Sequence, residues 1–182
     1  NLIIDMRIPN VVIGCQDSNE KVSGKGIKKL IEAGCNVITG VLEKKCQTMN
    51  QRFFTFHEKK RPYIILKWAE SKDGFMAPKN PEKDYWLTHP HSRQRVHQWR
   101  SEEQAILVGS QTVLNDNPNL STRLWFGKNP IRFAIDPNQI IPKKSNLNDG
   151  KITTFFLVDE NSDRKSENNI ISAEKILKSL YK

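Results

Sequence analysis

The chain has 182 residues, a length that one or two domains can fill. Hydrophobic residues make up 37% and charged residues 27%, a balance typical of a folded protein with a core rather than of a disordered chain. The net charge of +9 is spread over short clusters without a run of five like charges, so a nucleic-acid partner is not predicted. No apolar stretch approaches the ~20 residues that cross a bilayer, so a membrane partner is not predicted either.

The cysteines and the first residues bear on location and metal binding. Cys15, Cys35 and Cys46 form no CxxC pair and none stands at zinc-ligand spacing from a histidine, so no metal site is predicted. The odd cysteine count, together with the lack of a visible signal peptide, predicts reduced thiols and a cytoplasmic protein. The chain opens at Asn1 inside an apolar run, and we expect residues before it to be missing.

The first sixty residues predict alternating strands and helices. Apolar runs at 10–14 and 37–39 indicate short buried strands, and apolar spacing at 27–33 and 43–54 indicates helices. The polar stretch 57–62 ends in proline, which is typical of a linker. We therefore predict two domains, at residues 1–58 and 59–182.

The second part continues the same alternation. Strands are predicted at 63–69, 105–109, 131–135 and 153–158, with a turn at 71–74. Helices are predicted at 89–100, from 112 onward and at 173–181, and the segment 160–169 is predicted to be exposed. The pattern indicates an α/β protein with mostly parallel sheets.

Several polar groups stand where strands end. Lys67 closes an apolar strand, where a lysine could hold a phosphate or donate a proton, or could simply face water from an edge strand. Gly109 comes between a strand and a helix, so that the free amides of residues 110–112 could seat an anion or merely begin a capped helix. The segments 17–19 and 24–26 could likewise approach a ligand, although an Asx turn and an ordinary glycine pair explain them as well.

Arg100, Asp116 and Arg123 complete a polar set. Arginine is suited to bind a phosphate monoester through two hydrogen bonds, whereas Arg100 at a helix end and Asp116 in a turn also have structural explanations. No zinc-deaminase HxE or PCxxC motif, Walker A loop or GxSxG motif is present.

Taken in order, these motifs resemble the bifunctional riboflavin-biosynthesis deaminase/reductase family. Segment 67–74 reads Lys-Trp-Ala-Glu-Ser-Lys-Asp-Gly, similar to the family's Lys-x-Ala-x-Ser-Leu-Asp-Gly. Segment 84–88 resembles its Ser-x-Trp-Ile-Thr, with aspartate in place of serine at Asp84. Arg100 and segment 105–123 match its central signature in order and spacing. Segments 11–14, 17–19 and 22–26 resemble the end of its deaminase domain.

The resemblance implies the C-terminal remnant of a cytidine-deaminase-like domain followed by a partial dihydrofolate-reductase-like domain. It implies NADPH-dependent reduction of the ribosylamino group of 5-amino-6-(5-phosphoribosylamino)uracil to ribitylamino, a phosphorylated pyrimidine substrate, and a homodimer or higher homo-oligomer. Zinc would belong only to the missing part of the deaminase domain, and the family's later glycine-rich segment would follow Lys182.

The resemblance also assigns residues. The expected cofactor contacts are Ala69, Trp86, Thr112, Asp116 and Pro137. The expected substrate contacts are Lys67, Asp84, Thr88, Arg100, Leu120 and Arg123. Lys67 is the candidate proton donor, with Asp116 as its catalytic partner. Two other interpretations stay open, namely a basic α/β module that binds RNA or another polyanion, and a non-catalytic fragment of the same fold.

Overall fold

A computed structural model describes residues 2–19, 21–79, 85–159 and 170–172 of the chain. It divides into two compact units, Asn1–Trp68 and Ala69–Lys182. The predicted division at residue 58 stays a prediction.

The first unit contains a small parallel sheet with helices around it. Its helices are α1 (Leu2–Asp5), α2 (Lys25–Glu32), α3 (Glu43–Met49) and α4 (Gln51–Lys59), and its strands are β1 (Asn10–Ile13) and β2 (Asn36–Thr39). The two strands pair in parallel, with Val11 opposite Val37. Both strands were predicted. Gly34, with a left-handed backbone at φ +85°, follows the end of α2.

The predicted helix 43–54 is divided in two at Asn50. Asn50 has φ −106° and ψ 21°, outside the helical range, and links α3 to α4. Its side-chain amide donates a hydrogen bond of 2.9 Å to the Cys46 carbonyl oxygen. Asparagine competes with the backbone for such hydrogen bonds, which explains why the helix breaks here despite its apolar spacing.

The second unit is built on a four-stranded parallel sheet in the order β3-β4-β5-β6. Its strands are β3 (Ala105–Gly109), β4 (Ile131–Ile135), β5 (Thr154–Val158) and β6 (Ile170–Ser172). Its helices are α5 (Pro90–Glu102) and α6 (Ser110–Asp116), with a 3-10 turn at Asn146–Asn148. Parallel sheets were predicted and are confirmed, whereas β6 was not anticipated.

The core of the second unit lies on one face of this sheet. Phe156 and Val158 alternate with half-buried residues along β5, and Ala134 is fully buried on β4. Val113 joins this cluster from α6 at 2% exposure, which fixes the helix against the sheet. The polar face of α6 is consequently held outward beside the end of β3.

The strand predicted at 63–69 is wrong for the described structure. No strand is assigned there, and Leu66 and Ile64 are 78% and 61% exposed. A continuous apolar run forms a strand only where a neighbour supplies hydrogen bonds, and within the described part of its own unit the sheet consists of β1 and β2. The predicted helix 173–181 and the exposed segment 160–169 lie outside the described residues.

Two further features concern the surface and the thiols. Within residues 2–19, 21–79, 85–159 and 170–172, no helix combines the length and the apolar character that crossing a membrane requires. Cys15, Cys35 and Cys46 are free, and burial raises the pKa of the Cys15 thiol, with Cys46, Glu43 and Asp17 acting in the same direction.

Candidate active site

The carboxyl ends of β3 and β4 form one edge of the second unit's sheet. Gly109 lies opposite Ile135 in the parallel register, so the residues that follow both strands emerge side by side. Thr112 stands in the first turn of α6 after β3, and Pro137 follows Asp136 after β4. Ligands of open α/β sheets bind beyond this edge, which therefore is the natural place for a cofactor.

The outward face of α6 carries two of the predicted cofactor residues. Thr112 and Asp116 are four residues apart, so they lie one above the other on the helix surface, and both are exposed. The helix ends at Asn117, whose left-handed backbone (φ 38°) turns the chain back toward the sheet. The two side chains thus share one accessible face.

Gly109 leaves open space beside the strand end. A Cβ added there would have no atom within 4 Å, and its φ of −83° is accessible to any residue. The glycine is therefore required neither by packing nor by backbone conformation. The open space leaves room for a ligand to approach the backbone closely.

Trp86 and Thr88 lie just before α5. The Trp86 ring is exposed, and the Arg93 guanidinium stands 4.5 Å from its centroid, within cation–π range. Thr88 is half-buried. His89 caps the helix by accepting a hydrogen bond from the His91 amide, which fixes the start of α5.

A basic cluster forms where α5 meets the loop between α6 and β4. Arg100 Nη1 donates a 3.1 Å hydrogen bond to the Ser121 carbonyl oxygen. Leu120 is buried, with a left-handed backbone at φ 52°. Arg123 is exposed on the same loop. The structure thus brings Arg100 close to the loop of Leu120 and Arg123, and the buried His97 lies beside them. Their role as substrate contacts stays a prediction.

The electrostatics of this cluster are those of a site for an anion. Burial lowers the pKa of Arg100, and Arg123 lowers it further. Burial also lowers the pKa of His97, and Arg100 and Arg123 act in the same direction. Neither arginine has a carboxylate at ion-pair distance within the described parts of the chain. Like charges held together in this way are stabilised by a bound anion.

The loop that carries Arg123 is anchored by two hydrogen bonds and a close backbone contact. The backbone amide and the hydroxyl of Thr122 both donate to Asn129 Oδ1 at 2.9 Å. Gly127, at φ +137°, lies so close to Ser101 that an added Cβ would be 2.6 Å from that residue's Cβ. These contacts place the loop directly against the end of α5.

Arg132, like His97, is a residue of this region that the sequence did not predict to be important. It is fully buried on β4 and donates to Thr154 Oγ1 at 2.7 Å and to Asp149 Oδ1 at 2.8 Å. It also donates to four backbone carbonyl oxygens, those of Asn119, Asn146, Leu147 and Ile152. An arginine inside an apolar strand was the available signal, because a buried guanidinium needs several acceptors. The bond to Asn119 ties the loop at Leu120 to the sheet.

The remaining predicted site residues are Lys67, Ala69 and Asp84. Lys67 is exposed in the first unit, and Ala69 is half-buried at the start of the second. Asp84 lies outside the described residues. The predicted pairing of Lys67 with Asp116 joins two separate units and stays a prediction.

The other local motifs are resolved as structural features. The Asn19 amide donates to Asp17 Oδ1 at 2.7 Å, which is the Asx turn considered for residues 17–19. Gly24, with a left-handed backbone at φ +70°, is the N-cap of α2. The described residues contain no group of three or more histidine, cysteine, aspartate or glutamate side chains that could hold a metal ion.

Comparison with known proteins gives the family. Residues 62–182 match the family model described as the RibD C-terminal domain. The chain is 36% identical over 166 residues to the riboflavin biosynthesis protein RibD of Aquifex aeolicus, covering 91% of this chain and 46% of that protein. It is 40% identical over 136 residues to the RibD protein of Actinobacillus pleuropneumoniae, covering 75% and 36% respectively.

A solved structure agrees with the sequence relatives. The diaminohydroxyphosphoribosylaminopyrimidine deaminase/5-amino-6-(5-phosphoribosylamino)uracil reductase of Thermotoga maritima superposes with a TM-score of 0.83 at 35% identity, covering 99% of this chain and 52% of that one. The chain spans about half the length, or less, of the relatives it matches. The parallel α/β architecture is that of a RibD-type reductase domain with a dihydrofolate-reductase-like fold. The chain belongs to the RibD C-terminal domain family.

Proposed function

We propose that this chain is part of a riboflavin-biosynthesis enzyme that reduces the ribosylamino group of 5-amino-6-(5-phosphoribosylamino)uracil to ribitylamino. The observation that carries the proposal is the cationic cluster of Arg100 and Arg123, which has no carboxylate partner among the described residues. In the chain, these two arginines flank β3 and α6, which form the proposed cofactor edge. Membership of the RibD C-terminal domain family supports it. For residues 1–58 the proposal extends only to the end of a deaminase domain.

NADPH is the proposed cofactor, and the residues at the sheet edge fit it. The space beside Gly109 admits a ligand against the backbone, and the hydroxyl of Thr112 is exposed there. Trp86 offers an exposed ring surface with a cation on it, and Ala69, Asp116 and Pro137 complete the proposed contacts. When bound, NADPH supplies the hydride that reduces the opened sugar at C1′.

The substrate's phosphate is proposed to lie between Arg100 and Arg123. A phosphate monoester presents several oxygens to the two guanidinium groups, which can bind it through paired hydrogen bonds. Leu120 and Thr88 border the same proposed site, and Asp84 and Lys67 are further proposed contacts. In this proposal the protein holds C1′ of the sugar at the cofactor edge and excludes water from it.

Reduction also needs a proton, which the opened double bond takes up as C1′ receives the hydride. Lys67 is the proposed donor to the nitrogen or oxygen of that bond, with Asp116 as its proposed partner. The assembled enzyme is proposed to be a cytoplasmic homodimer or higher homo-oligomer.

The test is oxidation of NADPH by the full chain with and without this substrate. Wild-type protein is expected to consume NADPH only when the substrate is present. Arg123→Met is expected to raise KM for the substrate by about 10-fold or more, since a charged hydrogen bond is lost. Arg95→Met, an exposed arginine of α5, is the matched control and is expected to leave KM unchanged. Equal KM values for both variants would contradict the proposed phosphate site.

A further inference from the structure

Three basic side chains on one face of α5 carry buried nitrogen atoms without a partner. Arg93, His97 and Arg100 are spaced by four and three residues and therefore share a face of the helix. The atoms are Arg93 Nε, His97 Nδ1 and Arg100 Nε, and the one other such side-chain atom in the described part of the chain is Ser18 Oγ. Buried polar atoms are rarely left unpaired, so their concentration on one basic helix face indicates a polar, negatively charged ligand.

His97 is the most enclosed of the three. The residue is 4% exposed, and the charged groups that act on it are Arg100 from its own helix and Arg123 from the adjoining loop. The Ser121 backbone, whose carbonyl oxygen accepts a hydrogen bond from Arg100, also adjoins the imidazole and acts in the opposite direction, raising the pKa of His97. The Arg93 guanidinium forms a cation–π contact with the Trp86 ring, so Arg93 is not included in the proposed anion site.

This setting disfavours a charged imidazole until an anion arrives. Burial is the main reason that the pKa of His97 is lowered, and the two arginines lower it further. A dianion among these groups would neutralise both effects, because an opposite charge at close range favours the protonated ring. A protonated Nδ1 could then donate a hydrogen bond to the anion, whereas in the free protein this atom has no hydrogen-bond partner.

We propose that His97 is a third binding residue of the phosphate site, donating from Nδ1 to a phosphoryl oxygen held between Arg100 and Arg123. The ligand class is a phosphate monoester dianion. This inference rests on the proposed function, since it extends the same site by one residue. Its distinctive consequence is that binding of the dianion is coupled to uptake of a proton by His97, so affinity increases as the pH falls through the range where histidine titrates.

The first test uses sulfate on the full chain, because sulfate keeps its double charge across that range and the titration then belongs to the protein alone. Histidine-labelled protein is titrated by NMR with and without saturating sulfate. The midpoint of His97 is expected to rise by about one pH unit or more, while that of exposed His91 on the same helix stays in place.

The second test compares His97→Gln with His91→Gln, using inorganic sulfate and ribose 5-phosphate as ligands in thermal unfolding. In wild-type protein and His91→Gln, sulfate affinity is expected to rise as the pH falls, by at most about tenfold per pH unit for one proton. In His97→Gln this dependence is expected to vanish. If that variant fails to fold, the NMR titration of wild-type protein still decides.

A His97 midpoint that does not move while sulfate binds would overturn the proposal and leave the two-arginine site standing. The same pH dependence in His97→Gln as in wild type would also overturn it. If neither anion binds but NADPH does, this inference fails and the cofactor half of the proposed function survives. Loss of both NADPH and anion binding would contradict the proposed function itself.

Discussion

At the scale of single residues, two roles are proposed: two arginines bind the negatively charged substrate, and one lysine donates a proton. Arg100 and Arg123 form a cationic pair whose positive charges are left unbalanced within the described residues. Lys67 belongs to another compact unit and is assigned its role only by the family resemblance. Each assignment can therefore be tested separately.

Lys67→Met tests the proton-donor role. If Lys67 donates the proton, turnover should fall by about 10²- to 10⁴-fold, the usual contribution of a positioned acid, with a smaller change in KM. The measurement is steady-state NADPH oxidation with the substrate varied. Lys72→Met, an exposed lysine of the neighbouring turn, serves as the control. Normal turnover with altered affinity alone would show that Lys67 binds the substrate without donating the proton.

Arg132 and Asp149 give a residue-scale prediction about stability. Replacing Arg132 by methionine leaves several buried carbonyl oxygens without donors, and the free energy of unfolding is expected to fall by about 3 kcal/mol or more. Arg95→Met is the control for loss of an exposed arginine. Denaturant unfolding measures both, and equal losses would mean that the hydrogen bonds of Arg132 contribute nothing.

The same pair predicts a dependence on acid. The Arg132 hydrogen bond is the main reason that the pKa of Asp149 is lowered, so the unfolded chain binds this proton more readily. The stabilisation is present above the ordinary aspartate pKa, about 3.9, and is lost as the pH falls through the lowered value. Asp149→Asn should lose about 1 kcal/mol at neutral pH and little at the acid end, whereas Glu102→Gln should follow wild type throughout.

At the scale of elements, the order strand, glycine, helix from β3 to α6 could be predicted because β3 is a short apolar run and Val113 anchors the helix. The break at Asn50 could not, since apolar spacing continues across it while the asparagine side chain bonds the helix backbone. The prediction of a strand at 63–69 was wrong for a different reason. An apolar pattern indicates burial, but it does not show whether a neighbouring strand is available for backbone hydrogen bonding. The buried hydrogen bonds of Arg132 could not be predicted, because their acceptors lie in loops 13 to 20 residues away along the chain.

Gly109→Ala tests the edge formed by β3 and α6. An added methyl group meets no atom within 4 Å, so the melting temperature should be unchanged, but the methyl group occupies the space proposed for the cofactor. The affinity for NADPH is therefore expected to fall by about tenfold, in line with loss of close backbone contact. Gly26→Ala in α2, where the added methyl group is equally free, is the control. Unchanged affinity in Gly109→Ala would exclude close approach of NADPH at this glycine.

At the scale of the whole molecule, composition and alternation were enough to predict a parallel α/β protein, because buried parallel strands are continuous apolar runs. They also disfavoured a nucleic-acid module, since the basic residues are scattered. Of the candidate site, Arg100 lies beside the loop that carries Leu120 and Arg123, and the role of these three residues as substrate contacts stays a prediction. His97 and Arg132 were missed because their significance lies in burial and in long-range partners that no local pattern reports.

The most direct test of the proposed reductase function is titration of the full chain with NADPH, followed by the fluorescence of Trp86 against a Trp86→Phe reference. Quenching is expected to be saturable, to be lost in the reference, to be reversed by NADP⁺ and to change little with moderate salt. Absence of NADPH binding, combined with RNA binding that weakens steeply as salt is raised, would contradict the proposed function and favour a basic binding module.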